Sequence, residues 1–450
     1  MLDLKSLGAL SAALQKLDAG FQRLPEFSTQ VSGAERLQEV LVATAEKLQD
    51  NFPYFHPLYA GQMLKPPHPV ARLAYALAMY INPNNHALDG GRATSALEKE
   101  AVAEIAAMFG WKEFLGHLCG GGTMANLEAL WVAGKVHPGK KILANEQAHY
   151  THKRISGVLQ LDFETVRCDE RGRMDPEALE NRLNKGDVGT VVATLGTTAT
   201  GSVDPLAEIL ALRDRYGFRI HVDAAYGGYF TLASNLAAAA KQSFANIDEA
   251  DSIVIDPHKH GLQPYGCGCV LFRDQGVGKL YKHESPYTYF CSAELHLGEI
   301  SLECSRPGAA AAALWATQQL LPLTVGGEFA MGLAAGREAA LQLFKKLEGD
   351  ERFAPAFEPE LDIVVFLPRE ASKERASAQS RKIFTAAAKR DLHLAVAELP
   401  QRFWSDTDFA AGDSAETITC LRSVLMKPEH LEWLDPIWDR LLQAHSDSLI

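Results

Sequence analysis

An α/β fold is what the sequence predicts: a mixed, mostly parallel sheet covered by helices on both faces, followed by a small C-terminal α+β domain. Two observations carry the expectation. Between residues 140 and 261, short apolar runs rich in β-branched residues alternate with amphipathic stretches at helical spacing. From about residue 325 the pattern changes to a long helical stretch, 326–346, and two separated strand-like runs, 362–367 and 417–423. The expected organisation is an N-terminal helical segment over 1–80, a large domain over 81–324 and a small domain over 325–450.

The bulk properties narrow the function classes. At 450 residues the chain can bury ample core, and 47% hydrophobic with 22% charged residues is ordinary for a soluble globular protein. A formal charge of −12 without a basic cluster argues against a nucleic-acid partner. The first residues, MLDLKSLGALSAALQKL, lack the basic head and apolar run of a signal peptide, and no apolar run reaches membrane-spanning length. Seven scattered cysteines point to free thiols, so a cytoplasmic protein with no membrane association is expected. Cys267-Gly-Cys269 has no second pair at zinc spacing and reads as strand, hence core, and no metal site is expected.

Residues 1–50 read as helical, with Leu37, Val40, Leu41 and Ala45 at helical spacing. The stretch 51–69 is irregular and aromatic. Tyr54, Phe55, His56 and Tyr59 line a pocket, make a subunit contact or simply pack a loop. A helix is expected over 71–81, stopped by Pro83. Another is expected over 95–110, with Ser95 and Glu98 as a capping box and Gly110 at its C-terminus. Gly120 to Gly122 precede Thr123, a good N-cap, and a helix carrying Leu127, Leu130 and Trp131. Such glycines serve a tight connection or an anion site, where free N–H groups and the positive end of a helix converge.

Strands are then expected at 142–145, from Thr165 ahead of a turn at Gly172, at 190–195, ending at Asp223, and at 252–256. Ligands of such sheets gather at the carboxyl ends of the strands. Asn145, Thr198, Asp223 and Lys259 all sit at or just past four such ends. A lysine beside a buried strand is costly unless its amine is paired or has reacted, and desolvation makes it a nucleophile toward aldehydes. Lysine, carboxylate and glycine loop together suggest pyridoxal 5′-phosphate. That cofactor needs an amine for its Schiff base, an acid to keep its ring nitrogen protonated and an anion site for its phosphate.

HVDAAYGG and SIVIDPHKHG, with GGGTMANL and NEQAHYTH, resemble the group II pyridoxal-phosphate-dependent amino acid decarboxylases over roughly residues 80 to 310, and ITCLRSVLMKP resembles the small-domain strand of that family. The resemblance implies the type I PLP-dependent transferase (aspartate aminotransferase-like) fold. It implies an L-amino acid as substrate, released as the amine and carbon dioxide. Lys259 would carry the Schiff base, Asp223 pair with the pyridine nitrogen, Ala225 pack on one ring face and His149 stack on the other. Gly122 and Thr123 would hold the phosphate, assisted by His258, and Thr198 would lie near the ring.

The family's Cα proton donor is a tyrosine in the loop after the lysine, for which SPYTYF offers Tyr287 and Tyr289, with Tyr289 the better match. Lys259, His149 and Tyr289 are thus the expected catalytic residues. Arg306 would brace that loop, a lid candidate over 277–306, or bind a carboxylate. Family members are homodimers with shared sites, which assigns the N-terminal segment, 51–69 and 82–95 to the subunit contact. The chain departs from the family at Met124, where many members carry an acid, and at His260, which replaces a larger residue. An aldehyde synthase, a carbon–carbon lyase or a non-catalytic cofactor-binding protein are the alternatives.

Overall fold

In a computed structural model the described residues are 5–25, 33–86, 88–282, 300–404 and 417–449. The large sheet consists of β1 (Leu115–Cys119), β2 (Lys141–Asn145), β3 (Phe163–Val166), β4 (Val188–Thr194), β5 (Arg219–Asp223), β6 (Ser252–Ile255) and β7 (Gly268–Phe272). Their spatial order is β1-β7-β6-β5-β4-β2-β3. β6 through β3 run parallel, while β7 is antiparallel to both β6 and β1. The exception has a local cause. Every parallel neighbour is reached through a helical crossover, but residues 256–267 contain no helix, and a chain that turns back without one pairs antiparallel. β6 and β7 are buried along their whole length, as strands covered on both faces must be.

The second sheet, β8 (Phe353–Pro355), β9 (Ile363–Pro368), β10 (Ala395–Pro400) and β11 (Thr417–Val424), is antiparallel in the order β10-β11-β9-β8. The sequence signals its two central strands. It misses the edges, because β8 is three residues ending in Pro355 and β10 carries an exposed Val396 instead of a clean alternation. Helices Glu328–Glu348, Lys373–Ala388 and Leu434–Asp447 cover this sheet. No helix among the described residues is long and apolar enough to cross a membrane.

The N-terminal stretch forms helices Leu7–Ala19 and Ala34–Leu48, which bury none of their residues; Leu37, Val40 and Leu41 are exposed. The aromatic stretch packs on the chain's own small domain: Tyr54 and Tyr59 meet edge to face at 4.9 Å, and Phe52 meets His393 at 5.0 Å. Cys267 and Cys269 are buried in the core, and all six described cysteines are free.

The expected capping box at Ser95 and Glu98 does not form. The helix runs from Leu88 to Met108 across a non-helical break at Gly91 (φ −146°, ψ 48°), which places both residues inside it. Glu98 is instead the centre of a buried network. Its Oε1 accepts from Arg306 at 2.6 Å and from the Leu118 N–H at 2.9 Å, and its Oε2 accepts from Asn85 Nδ2 at 2.6 Å. Arg306 also donates to the Leu118 carbonyl at 2.5 Å and the Asn85 carbonyl at 3.3 Å. The carboxylate that Arg306 binds is therefore its own chain's, and the pair ties residue 306 to the end of β1. Removing one partner of such a pair strands a buried charge. Arg306→Met is expected to cost about 3–5 kcal/mol in chemical denaturation, and Glu98→Gln combined with it to cost less than Arg306→Met alone; equal stability of wild type and Arg306→Met would refute the account.

Candidate active site

The carboxyl ends of the parallel strands and the turn after β1 enclose a cavity of about 590 Å³. β5 delivers Asp223 as its last residue. Asp256-Pro257-His258-Lys259 follows β6, its immediate neighbour. Across the cavity lies the glycine run. Gly121 has φ +142°, a conformation side chains avoid, and a Cβ there would stand 3.1 Å from His258. A Cβ on Gly122 would stand 2.6 Å from Asp256 Oδ2. The glycines are thus required by close approach. Gly121, not Thr123, is the N-cap of helix Gly122–Val136, and Thr123 falls in the first turn. The first intrahelical bond is donated by Ala125 N–H to Gly121, so the N–H groups of Gly122, Thr123 and Met124 are left to other acceptors.

Asp223 is nearly fully buried. Its Oδ2 accepts from His152 Nε2 at 2.8 Å and its Oδ1 from the Ala225 N–H at 3.1 Å. Burial alone would raise its pKa, but the His152 hydrogen bond and the nearby Lys259 amine outweigh it and hold the carboxyl well below its ordinary range. Asp223 is therefore ionised. Two residues earlier on the same strand face, His221 contacts Ser252 Oγ at 2.9 Å and Asn126 Oδ1 at 2.8 Å, and burial pushes its imidazole down to about 3.

Lys259 Nζ lies 3.0 Å from Asp256 Oδ2. His258 Nδ1 donates to the Cys267 carbonyl at 2.8 Å, and burial lowers its pKa. Its Nε2 lies 3.6 Å from Asp256 Oδ2. His149 accepts at Nδ1 from the Thr151 N–H at 3.2 Å and from the Thr151 hydroxyl, and burial lowers its pKa. Its ring proton therefore sits on Nε2. Ala225 and Thr198 also line the cavity.

All eight expected cofactor residues, Gly122, Thr123, His149, Thr198, Asp223, Ala225, His258 and Lys259, thus face one space. Asn145 does not join them, because its amide is spent on Asp204 at 2.7 Å and the Gly172 carbonyl at 3.0 Å. None of residues 54–59 lines the cavity. Tyr287 and Tyr289 lie outside the described residues. His260 faces away from Lys259, buried against Tyr226, Phe230 and Asp362. Met124, at the family's acid position, lines the cavity.

Four contributors escaped the sequence. Asp256 was read only as strand. His152 has a signal in hindsight, a second histidine one helical turn after His149. Glu303 accepts from the Gly120 N–H at 2.9 Å, so the glycine loop already draws an anionic group. Arg422 on β11 reaches across to donate to the carbonyls of Thr198 at 2.7 Å and Ala199 at 2.9 Å.

A pyridine ring with a phosphate fits these residues. The cradle is open where a Cβ would fill it, and free helix N–H groups line it. The buried Thr194 Oγ1 and Asp256 Oδ1, both from cavity-lining residues, have no hydrogen-bond partner. A lysine amine, a buried carboxylate and a glycine-lined helix N-terminus opening onto one cavity of a doubly covered sheet fit a pyridoxal-phosphate enzyme of the type I fold. The pyridoxal-dependent decarboxylase conserved domain matches residues 133–369. L-tyrosine decarboxylase of Enterococcus faecium is 29% identical over 70% of this chain and 68% of its own length. A probable L-tyrosine/L-aspartate decarboxylase of Methanothermobacter thermautotrophicus is 28% identical over 68% of this chain and 82% of its own. The fold is that of mouse CSAD in apo form, with a TM-score of 0.79 at 21% identity covering 98% of this chain and 99% of that one. The chain belongs to the group II family of pyridoxal-phosphate-dependent amino acid decarboxylases.

The buried His221 has a consequence for acid stability. Its folded pKa lies below the ordinary 6.5, so the unfolded chain takes up its proton first and stability is lost as pH falls from about 6.5 to about 3. Denaturation at a series of pH values should show His221→Gln losing stability over that window less steeply than wild type, by about 1.4 kcal/mol per pH unit. Equal slopes would show that His221 does not titrate this way.

Proposed function

We propose that the cavity holds pyridoxal 5′-phosphate and removes the carboxyl group of an L-amino acid, releasing the amine and carbon dioxide. One observation carries the reading: the Lys259 amine, the ionised Asp223 carboxylate and the glycine cradle open from three strand ends onto a single space. When bound, the cofactor supplies a carbonyl with which an amine condenses and a conjugated ring that accepts the electron pair left as carbon dioxide departs.

The chain's own residues supply the remainder. Gly122 and Thr123 hold the phosphate through helix N-terminal N–H groups. Asp223 keeps a proton on the pyridine nitrogen, so electrons are drawn from Cα. Ala225 would underlie one face of the bound ring and His149 the other, while Thr198 stands at the cavity wall. Asp256, 3.0 Å from Nζ, pairs with the Lys259 amine and holds it at the cavity. The cavity wall would set how the substrate's Cα substituents are presented to the bound cofactor, and that orientation would select loss of the carboxylate. Tyr289 delivers the proton to Cα.

The names of the relatives place L-tyrosine and L-aspartate first among amino acids to assay, with amine, aldehyde and carbon dioxide measured together. The wild type is expected to yield amine and carbon dioxide in equal amounts. Aldehyde as the main product would replace the decarboxylase reading with the aldehyde-synthase one. Lys259→Ala should lose the yellow absorbance of the lysine-bound cofactor, and colour that persists and resists gel filtration would overturn the lysine's role. Tyr289→Phe is expected to cut amine release about 10²–10⁴-fold; release at the wild-type rate would give the role to another residue.

A further inference from the structure

We propose that His152 is a positioning residue that fixes the charge and direction of Asp223 toward the pyridine nitrogen, an inference that rests on the assignment of Asp223 made above. His152 stands in helix Thr151–Val158 and is fully buried. Its Nε2 lies 2.8 Å from Asp223 Oδ2, and because an ionised carboxylate only accepts, the proton of that bond belongs to the histidine. The Ala225 N–H occupies the other carboxylate oxygen at 3.1 Å. Two donors on two oxygens fix the plane of the carboxylate and still leave each oxygen a lone pair for the cavity.

No other side chain among the described residues is within hydrogen-bonding distance of Asp223. His221 has both ring nitrogens engaged by Ser252 and Asn126, and Lys259 is paired with Asp256. Nδ1 of His152 has no hydrogen-bond partner, so nothing on the far side of the ring competes for its orientation. The desolvation that Asp223 suffers favours the neutral acid, and a neutral acid cannot hold a proton on the ring nitrogen. A charge-assisted hydrogen bond from a buried donor is the interaction that opposes it.

The chain's economy supports the assignment. His149 and His152 are three residues apart around the start of one helix, so a single segment sends one histidine to the cavity and the other behind the acid that faces it. Only the first of these was expected from the sequence.

The test compares wild type, His152→Phe, His152→Asn and His152→Gln. The apoprotein is titrated with pyridoxal 5′-phosphate, and the ring nitrogen's protonation is read from the ¹⁵N shift of labelled cofactor. Unfolding of the apoprotein reports any structural damage. His152→Phe is expected to bind the cofactor about 10- to 100-fold more weakly and to move the ring nitrogen toward its deprotonated shift. His152→Gln, which keeps a donor of similar reach, should recover most of both. If His152→Phe does not fold, His152→Asn, too short to reach Oδ2, carries the same expectation. A folded His152→Phe or His152→Asn with wild-type affinity and an unchanged nitrogen shift would overturn the proposal. Asp223→Asn separates the two levels: a shift unchanged there removes the Asp223 assignment itself, whereas a shift moved there but not in the histidine variants removes only the role of His152.

Discussion

A carboxylate kept charged in a buried place is the constraint on which the site depends. Asp223 is 5% exposed at the end of β5, where burial by itself favours the protonated acid. Everything adjacent acts against that. The His152 ring donates to one oxygen, the main chain of Ala225 to the other, and the Lys259 amine adds positive charge from the next strand. An acid that titrated in the neutral range would leave the electron demand of a bound ring dependent on pH. The Asp223 arrangement holds the carboxyl far below that range, which is what the proposed pairing with a ring nitrogen requires.

Strand order then decides which groups meet that carboxylate. β5 and β6 are parallel neighbours, so the residue ending one and the turn following the other emerge on the same edge. The glycine run comes from β1, two positions away in the sheet, with β7 between. It reaches the cavity because β7 begins with a glycine: a Cβ on Gly268 would stand 2.5 Å from the Gly121 carbonyl carbon. An intervening strand that started with any larger residue would hold the helix N-terminus away from Lys259. The antiparallel return of the chain after the lysine is therefore part of the site's construction, since it brings Gly268 in where a helical crossover would not.

Much of this was legible before the structure. The strand-end placement of Thr198, Asp223 and Lys259, and the glycine run ahead of a helix, follow from short apolar β-branched runs, helix signals and the rule that ligands sit at carboxyl ends. What escaped were interactions between side chains remote in sequence. Ser95 and Glu98 have the spacing of a capping box, but the charge of Arg306, 208 residues away, claims Glu98. Asn145 sits at the right strand end, yet Asp204 takes its amide. His152 was hidden for the opposite reason: its spacing from His149 is plain, but only the fold shows that one helical turn carries it from the cavity to the back of Asp223. Local pattern places backbone; pairing among buried polar groups is settled by which partner lies within hydrogen-bond reach.

Arg422 shows how the second sheet enters this chemistry. It is a buried guanidinium with no carboxylate within ion-pair distance among the described residues, and it spends its donors on neutral oxygens. Those oxygens belong to two different stretches: the carbonyls of Thr198 and Ala199 in the loop after β4, and the Gly61 carbonyl at 3.1 Å with Gln62 Oε1 at 3.3 Å in the segment after the aromatic run. A charge taken out of water for neutral acceptors needs several of them, well aligned, to offset its desolvation. The four bonds therefore act together, and moving β11 would cost all of them at once. The cavity wall at Thr198 is consequently set by the position of β11 as much as by β4, which makes the small antiparallel sheet a structural part of the site.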